Sequence, residues 1–300
     1  TEIYTLSLHD ALPICGGTGA VSAAIARSAE HFGADIMTEA AVEKVTVKNG
    51  KAIGVTLENG DQFDSTKVIS GMDPKLTFLK MLNEKDLPSD FVTSIKNFRI
   101  RGSSGKVNLA LDGLPDFTCL PGNGPHLRGA ISISPSLEYI EKAYDDAKYG
   151  NFSRSPYIDI IIPSVLDPDM APPGKHVMSC FVQYAPYNIN GGWNDDKRED
   201  FGDAVINALA QYAPNIKDII LHRQILTPAD LESTFGLSEG NIFHGELSLQ
   251  QLFIMRPAVK WADYRTPIRN YFQCGSGTHP GGGITGSPGE MAAKKILKEW

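Results

Sequence analysis

Between residues 274 and 289 the chain reads CGSGTHPGGGITGSPG, seven glycines and two prolines in sixteen residues. A strand-like run, IRNYFQ, leads into this segment and a helix-like tail, EMAAKKILKEW, follows it. Glycines at 275, 277, 281, 282, 283, 286 and 289 permit positive φ and a close backbone approach that any Cβ would block. Strand, glycine loop and helix in that order is how a backbone wraps the phosphate or polar edge of a large cofactor. Ile284 and Thr285 fall where the helix should begin, with free N–H groups and the positive end of its dipole. The position is unusual, because a dinucleotide fold carries its glycine fingerprint on the first strand, whereas this loop lies close to the C-terminus. On these residues alone, an irregular glycine-rich loop before a helix remains an open alternative.

The opposite end is unlike a secretory signal: in TEIYTLSLHDALPI, Glu2, His9 and Asp10 interrupt the apolar residues and no long apolar run follows. These residues match the in-frame translation of a common short-read sequencing adapter. Residues 1–14 are therefore expected to be foreign to the gene, Cys15 is doubtful, and the natural coding sequence is expected to continue upstream of Gly16. GGTG at 16–19 is no substitute for a first fingerprint, since no strand precedes it and the GxGxxG spacing fails.

Between these ends the chain is long enough for one large or two moderate globular domains. Hydrophobic residues make up 42% of it, sufficient for a core, yet no 18-residue apolar run could span a membrane. A net charge of −7 argues against a nucleic-acid partner gripped through phosphates. Cys119, Cys180 and Cys274 are far apart with no CxxC spacing, and the histidines form no HxxxH pair, so neither a disulfide framework nor a metal site is expected. Such cysteine usage fits a reducing compartment, the cytoplasm or, in a eukaryote, the mitochondrial matrix.

Residues 18–32 read as an alanine-rich amphipathic helix stopped by Gly33. Residues 34–70 read as a strand meander turning at Asn49-Gly50 and Asn59-Gly60 and ending in a buried strand, KVISG. Helical periodicity returns over 75–98. Strands are expected at 105–111, 129–134, 157–162, 176–184 and 218–225, with a helix at 197–212. The fold class is thus α/β plus α+β: an incomplete Rossmann-like domain from residues 15–74 and 257–300, with an inserted mixed-sheet domain over 75–256.

Three long stretches, SSGKVNLALDGLPDF, GNIFHGELSLQQLFIMRP and WADYRTPIRNYFQCGSGTHPGGGITGSPG, resemble the phytoene-dehydrogenase-related FAD oxidoreductases, in particular the subgroup labelled pyridine nucleotide-disulfide oxidoreductase domain-containing protein 2. The resemblance runs from the GGTG segment to Trp300. It implies FAD as cofactor, 15–74 and 257–300 as parts of the FAD-binding domain, and 75–256 as the substrate domain. Carried over position by position, it sets Gly275, Ser276 and Gly277 near the phosphate or ribityl chain, Gly283, Ile284 and Thr285 at the flavin ring, Val42 at the adenine, and Ser70 and Gly71 near the pyrophosphate. One departure is visible: where many flavoproteins have Gly-Asp, Gly277 is followed by Thr278 and His279. The family's first strand, GxGxxG turn and acidic residue are not in this sequence, so the 300-residue chain by itself is expected to hold FAD weakly or not at all, to be inactive and to be poorly soluble.

The chemistry implied is hydride removal from an apolar substrate to flavin, with reoxidation by an external acceptor and no transmembrane segment, though peripheral membrane contact stays open. Despite the word disulfide in the subgroup's label, no CxxC supports a dithiol mechanism. His244 and Tyr264 are candidates for the substrate pocket. The competing reading makes His244 a satisfied core histidine and pairs Arg256 and Arg265 with local acids such as Asp263. An amine-oxidase-like enzyme on the same scaffold, or a non-enzymatic binding protein on a vestigial one, are the other classes the sequence admits.

Overall fold

The computed structural model describes residues 17–299. In chain order its elements are α1 (Gly17–His31), β1 (Val42–Lys48), β2 (Lys51–Leu57), β3 (Gln62–Asp64), β4 (Val68–Ser70), α2 (Ser89–Lys96), β5 (Ser104–Leu111), β6 (Ile131–Ile133), α3 (Leu137–Lys148), β7 (Tyr157–Ile161), β8 (His176–Gln183), α4 (Asp195–Ala210), α5 (Ile216–Ile219), β9 (Ile220–Leu226), α6 (Pro228–Phe235), β10 (Tyr271–Gln273) and α7 (Ser287–Lys298). Among the described residues no helix is long and apolar enough to cross a membrane.

Contacts divide the chain into two compact units, one of Asp35–Arg101 with Asn241–Trp300, the other of Gly102–Gly240 with the stretch up to Ala34. Gly102–Gly240 is thus inserted between the two halves of the first unit, as the fold class expected from sequence requires. Residues 75–101 and 241–256, which sequence texture grouped with the inserted part, belong by their contacts to the discontinuous unit. The reason is packing: Phe78, Phe91, Val92 and Ile95 share a core with Val45, Ala52, Ile268 and Tyr271, and the Phe78 and Phe91 rings meet edge to face at 4.8 Å.

In the discontinuous unit, β1, β2 and β3 form an antiparallel sheet turning at Asn49-Gly50, where both residues have positive φ as a tight hairpin demands. β4 leaves this meander and pairs instead with β10 in parallel, Val68 to Tyr271 and Ser70 to Gln273. β10 is buried throughout. β4 is not the fully buried strand expected from KVISG: Ile69 is 51% exposed, because alternate residues of a strand point to opposite faces and only Ser70 turns wholly inward.

The inserted unit is built on a five-stranded sheet, order β6-β7-β8-β5-β9, with every neighbouring pair antiparallel. One face packs on α4 through Phe201, Val205 and Leu209. Gly105 is required there, since a Cβ on it would lie 2.7 Å from the Phe201 ring. α3 and α6 were not anticipated. α6 carries a full capping box, Thr227 with Asp230, ahead of Pro228 in its first turn.

Candidate functional site

The parallel pair brings two chain turns to one level. β4 runs into Ser70-Gly71 and β10 into Cys274-Gly275, and the amide of Cys274 donates to the carbonyl of Ser70 at 2.8 Å. In open α/β sheets the space beyond the carboxyl ends of parallel strands is where ligands bind. Gly275 has φ 82°, and a Cβ there would sit 2.8 Å from the Gly71 carbonyl oxygen; only glycine closes the turn so tightly. Gly277 is equally constrained, by Pro74 at 2.8 Å. Gly71 differs: a Cβ on it would meet only the Cys274 Sγ, at 3.8 Å, leaving open space beside the turn.

Behind the turns lies a buried polar network. The Ser70 and Thr77 hydroxyls are 2.8 Å apart, and the Gln273 amide donates to the Met72 carbonyl at 3.0 Å and to Thr77 Oγ1 at 3.4 Å. Asp73 Oδ1 accepts from the amides of Lys75 and Leu76, starting the π-helical turn at Leu76–Lys80. Gln273 Oε1, His244 Nδ1 and His279 Nδ1 are buried with no hydrogen-bond partner among the described residues. Unsatisfied polar atoms in a native interior call for an explanation, and a ligand's polar edge is one. Open space at Gly71 beside two close-fitting glycine turns, with orphaned polar atoms behind, fits a large polar cofactor.

The 241–256 segment is a self-braced loop. Asn241 Oδ1 accepts from the amides of Phe243 and Gly245. Gln251 clasps Arg99, accepting its amide at 2.6 Å and donating to its carbonyl at 2.9 Å. Arg256, fully buried, was expected from sequence to pair with acids. It instead donates to main-chain carbonyls, those of Ser276 at 2.8 and 2.9 Å, Phe243 at 2.8 Å, Gln251 at 3.2 Å, Glu246 at 3.3 Å and Gly245 at 3.4 Å. Its guanidinium lies 5.6 Å from the Phe98 ring centre. Burial brings its pKa down to about 10. The planar fork suits an array of carbonyls that a single ammonium could not span, and it ties this loop to the glycine loop at Ser276. Arg265 does pair with Asp263, at 2.5 Å.

His244 is half-buried with φ 57°. Burial lowers its pKa; Asp73 opposes this and Arg256 reinforces it, so the imidazole is neutral at pH 7. Tyr264 is 6% exposed, with φ 71°, and its hydroxyl donates to the His279 carbonyl at 2.9 Å. That bond makes Tyr264 a brace of the loop. His244, Phe253, Tyr264 and Ile284 are all non-glycine residues in the left-handed region, a strain of about 1–3 kcal/mol each that clusters where a surrounding structure dictates the backbone. Cys274 carries a thiol pushed up by burial, the opposite of what a dithiol mechanism needs.

The structure brings Ser70, Gly71, Gly275, Ser276 and Gly277 together, while Val42 stands on the separate three-stranded sheet, opposite Leu57. Ile284 and Thr285 do not open the last helix. α7 starts at Ser287, after Gly286 at φ 69°, and Thr285 Oγ1 accepts from the Ser287 amide at 3.2 Å. Pro288 in the first turn fixes that start, because proline tolerates only the first helical positions. Asn241, Gln251 and the carbonyl-binding role of Arg256 escaped sequence reasoning. Among the described residues no group of three His, Cys, Asp or Glu side chains could hold a metal.

A profile of the flavin-containing amine oxidoreductases matches residues 7–288. The chain is 43% identical over 293 residues to pyridine nucleotide-disulfide oxidoreductase domain-containing protein 2 of Mus musculus, covering 95% of this chain and 50% of that protein. It is 28% identical over 289 residues to a lycopene-forming phytoene desaturase of Pseudescherichia vulneris, covering 93% and 54%. The chain therefore spans about half the length of the curated relatives it matches. An oxidoreductase from Methanosarcina mazei shares the fold, with a TM-score of 0.60 at 17% identity over 95% of this chain and 55% of that one. With residues 7–288 matched and a 43%-identical relative aligned over 95% of this chain, the chain belongs to the flavin-containing amine oxidoreductase family.

Proposed function

We propose that the protein is an FAD-dependent oxidoreductase of the dehydrogenase or desaturase type, acting on a substrate with an apolar body, and that the facing turns at Gly71 and Gly275 hold the cofactor. The observation that carries this reading is the fit of those turns: two strands ending in parallel, one glycine locked by the other's carbonyl, and open space beside Gly71. FAD bound there would accept a hydride from a substrate C–H bond and pass the electrons to an external acceptor.

The protein's own residues position and exclude. Gly71, Gly275 and Gly277 would offer main chain without side-chain bulk beside the phosphate and ribityl chain, with Ser276 between the last two and Ser70 behind them. Gly283, Ile284 and Thr285 would border the flavin ring, and Val42 the adenine. Neutral His244 holds its buried Nδ1 without a partner among the described residues, a ring nitrogen left to hydrogen-bond a ligand without adding positive charge. Arg256 keeps the Ser276 carbonyl fixed, which sets the loop's shape before any ligand arrives. The family profile also supports a second reading, oxidation of a C–N bond on the same scaffold, which turnover of primary amines in place of C–H substrates would reveal.

The test is titration of the chain with FAD, followed by quenching of flavin fluorescence. Weak but saturable binding is expected. Gly71→Ala should weaken it about tenfold, about 1.4 kcal/mol, with an unchanged melting temperature, since the added methyl has room within the protein. Absence of saturable binding, or equal affinity in Gly71→Ala, would refute the assignment.

A further inference from the structure

The inserted unit holds a cleft of about 580 Å³ whose residues take no part in the cofactor assignment. Its walls come from α4, the short α5 and β9, the strand at one edge of the five-stranded sheet. α4 is pressed hard on β9 at one point, where a Cβ on Gly202 would lie 2.3 Å from Ile225 Cδ1. Arg223 pins the two elements together by donating to Asp203 and Glu199 of α4. Beyond this clamp, Ile206, Asn207, Lys217, Leu221 and His222 line the opening.

A bulge shapes the strand wall. Ala110 pairs with His222 and Leu111 with Ile220, which leaves Leu221 without a partner across the ladder. Bulges re-aim side chains and recur beside binding sites. The extra residue here is a leucine, 56% exposed, that faces the cleft. Leaving an apolar side chain so open forgoes the stabilisation of burial, which a ligand with an apolar body would restore.

The polar residues of the rim are donors. Of the lining residues only Asp203 is acidic, and Arg223 neutralises it. Lys217 has no carboxylate partner among the described residues. Its ammonium donates to Asn207 Oδ1 at 2.7 Å, which aims it and leaves two N–H groups for a ligand. With its oxygen engaged, Asn207 keeps its amide N–H groups to offer. The His222 side chain has no hydrogen-bond partner among the described residues. Asn207, Lys217, Leu221 and His222 are all exposed, so the site stands open. An uncommitted cation and neighbouring donors beside apolar side chains are complementary to an anion on a compact apolar body.

We propose that this cleft binds a small organic anion, its carboxylate held by Lys217 and Asn207 and its apolar body on Leu221 and Ile206. The site goes beyond the oxidoreductase reading and does not depend on it.

Ligand-observed NMR titration with benzoate, neutral benzamide and acetate separates charge from body. The wild-type chain should bind benzoate about tenfold more tightly than benzamide, a difference of about 1.4 kcal/mol. Acetate, which lacks the body, should also bind more weakly than benzoate. Lys217→Met should bring benzoate to the benzamide affinity and leave benzamide unchanged. Leu221→Ser should weaken benzoate and benzamide alike and leave acetate unchanged. Both replaced side chains are exposed, so melting temperatures should hold. Equal affinity of the wild type for benzoate and benzamide, acetate bound as tightly as benzoate, or undiminished benzoate binding in Lys217→Met would each overturn the proposal. The titrations need no flavin, so their outcome is independent of whether the chain binds FAD.

Discussion

Replacing Arg256 by methionine tests whether one side chain holds two loops together. Methionine fills a similar elongated volume without donors, so the change isolates the hydrogen bonds. Of the five carbonyls engaged, Ser276 receives two bonds of 2.9 Å or shorter and Phe243 one of 2.8 Å, while Glu246 and Gly245 lie at 3.3 and 3.4 Å and count for little. Each well-made bond to a charged donor contributes about 1.5–3 kcal/mol. Relief of the buried cation's desolvation offsets several kcal/mol of the total. The net expectation is a loss of about 3 kcal/mol, a fall of roughly 10 °C in the melting of the unit that contains it. Arg256→Lys should recover little, because a single ammonium cannot reach the whole array. Hydrogen exchange read by mass spectrometry gives the deciding result. Amides of residues 243–251 and of 275–283 should lose protection together in Arg256→Met. If the variant stays within about 1 kcal/mol of wild type, or if only the segment next to residue 256 loosens, the coupling through Ser276 is wrong.

Other perturbations probe separate parts of the same unit. His244 has a folded pKa held below its ordinary 6.5 by burial, so between those two values the unfolded chain binds more protons. Stability should therefore fall as pH drops through 6.5 and level off below the folded pKa; urea melts at pH 7.5 and 5.5 should show a smaller pH effect in His244→Gln, and an identical effect would refute the assignment. Gly245→Ala would bring a methyl 2.2 Å from a Phe98 ring carbon at a residue with φ 141°, costing about 3 kcal/mol in a chemical melt. Gly60→Ala, with φ 92° and nothing within 4 Å, should cost only the backbone term, about 1 kcal/mol; equal losses in the two would show that the Phe98 contact is unimportant.

What could be read from the residues follows the range of the interactions involved. The Asn49-Gly50 turn, α1 and α4 rest on local rules of turn chemistry and periodicity, and they stand where the sequence sets them. α3 went unread although Leu137, Ile140 and Tyr144 recur at helical spacing in LEYIEKAYDDAK: half of its residues are charged, and the stripe buries only Ala143 while Leu137 and Tyr144 stay exposed. The start of α7 was legible in Pro288 but was set two or three residues early by following the glycines instead. Non-local pairing escaped entirely. Nothing in VIS or YFQ states that they align in parallel across two hundred residues of chain, because such short strands carry no register of their own and are placed by what packs around them. Arg256 shows the same limit in a side chain. Sequence offered Asp263 as its natural partner, and Asp263 went to Arg265 and Lys295. A buried guanidinium surrounded by carbonyls is specified by the three-dimensional closure of 241–256 on itself, which Asn241 and Gln251 accomplish from within the loop. The glycines show that a ligand edge could be accommodated; these buried polar side chains decide where the glycines stand.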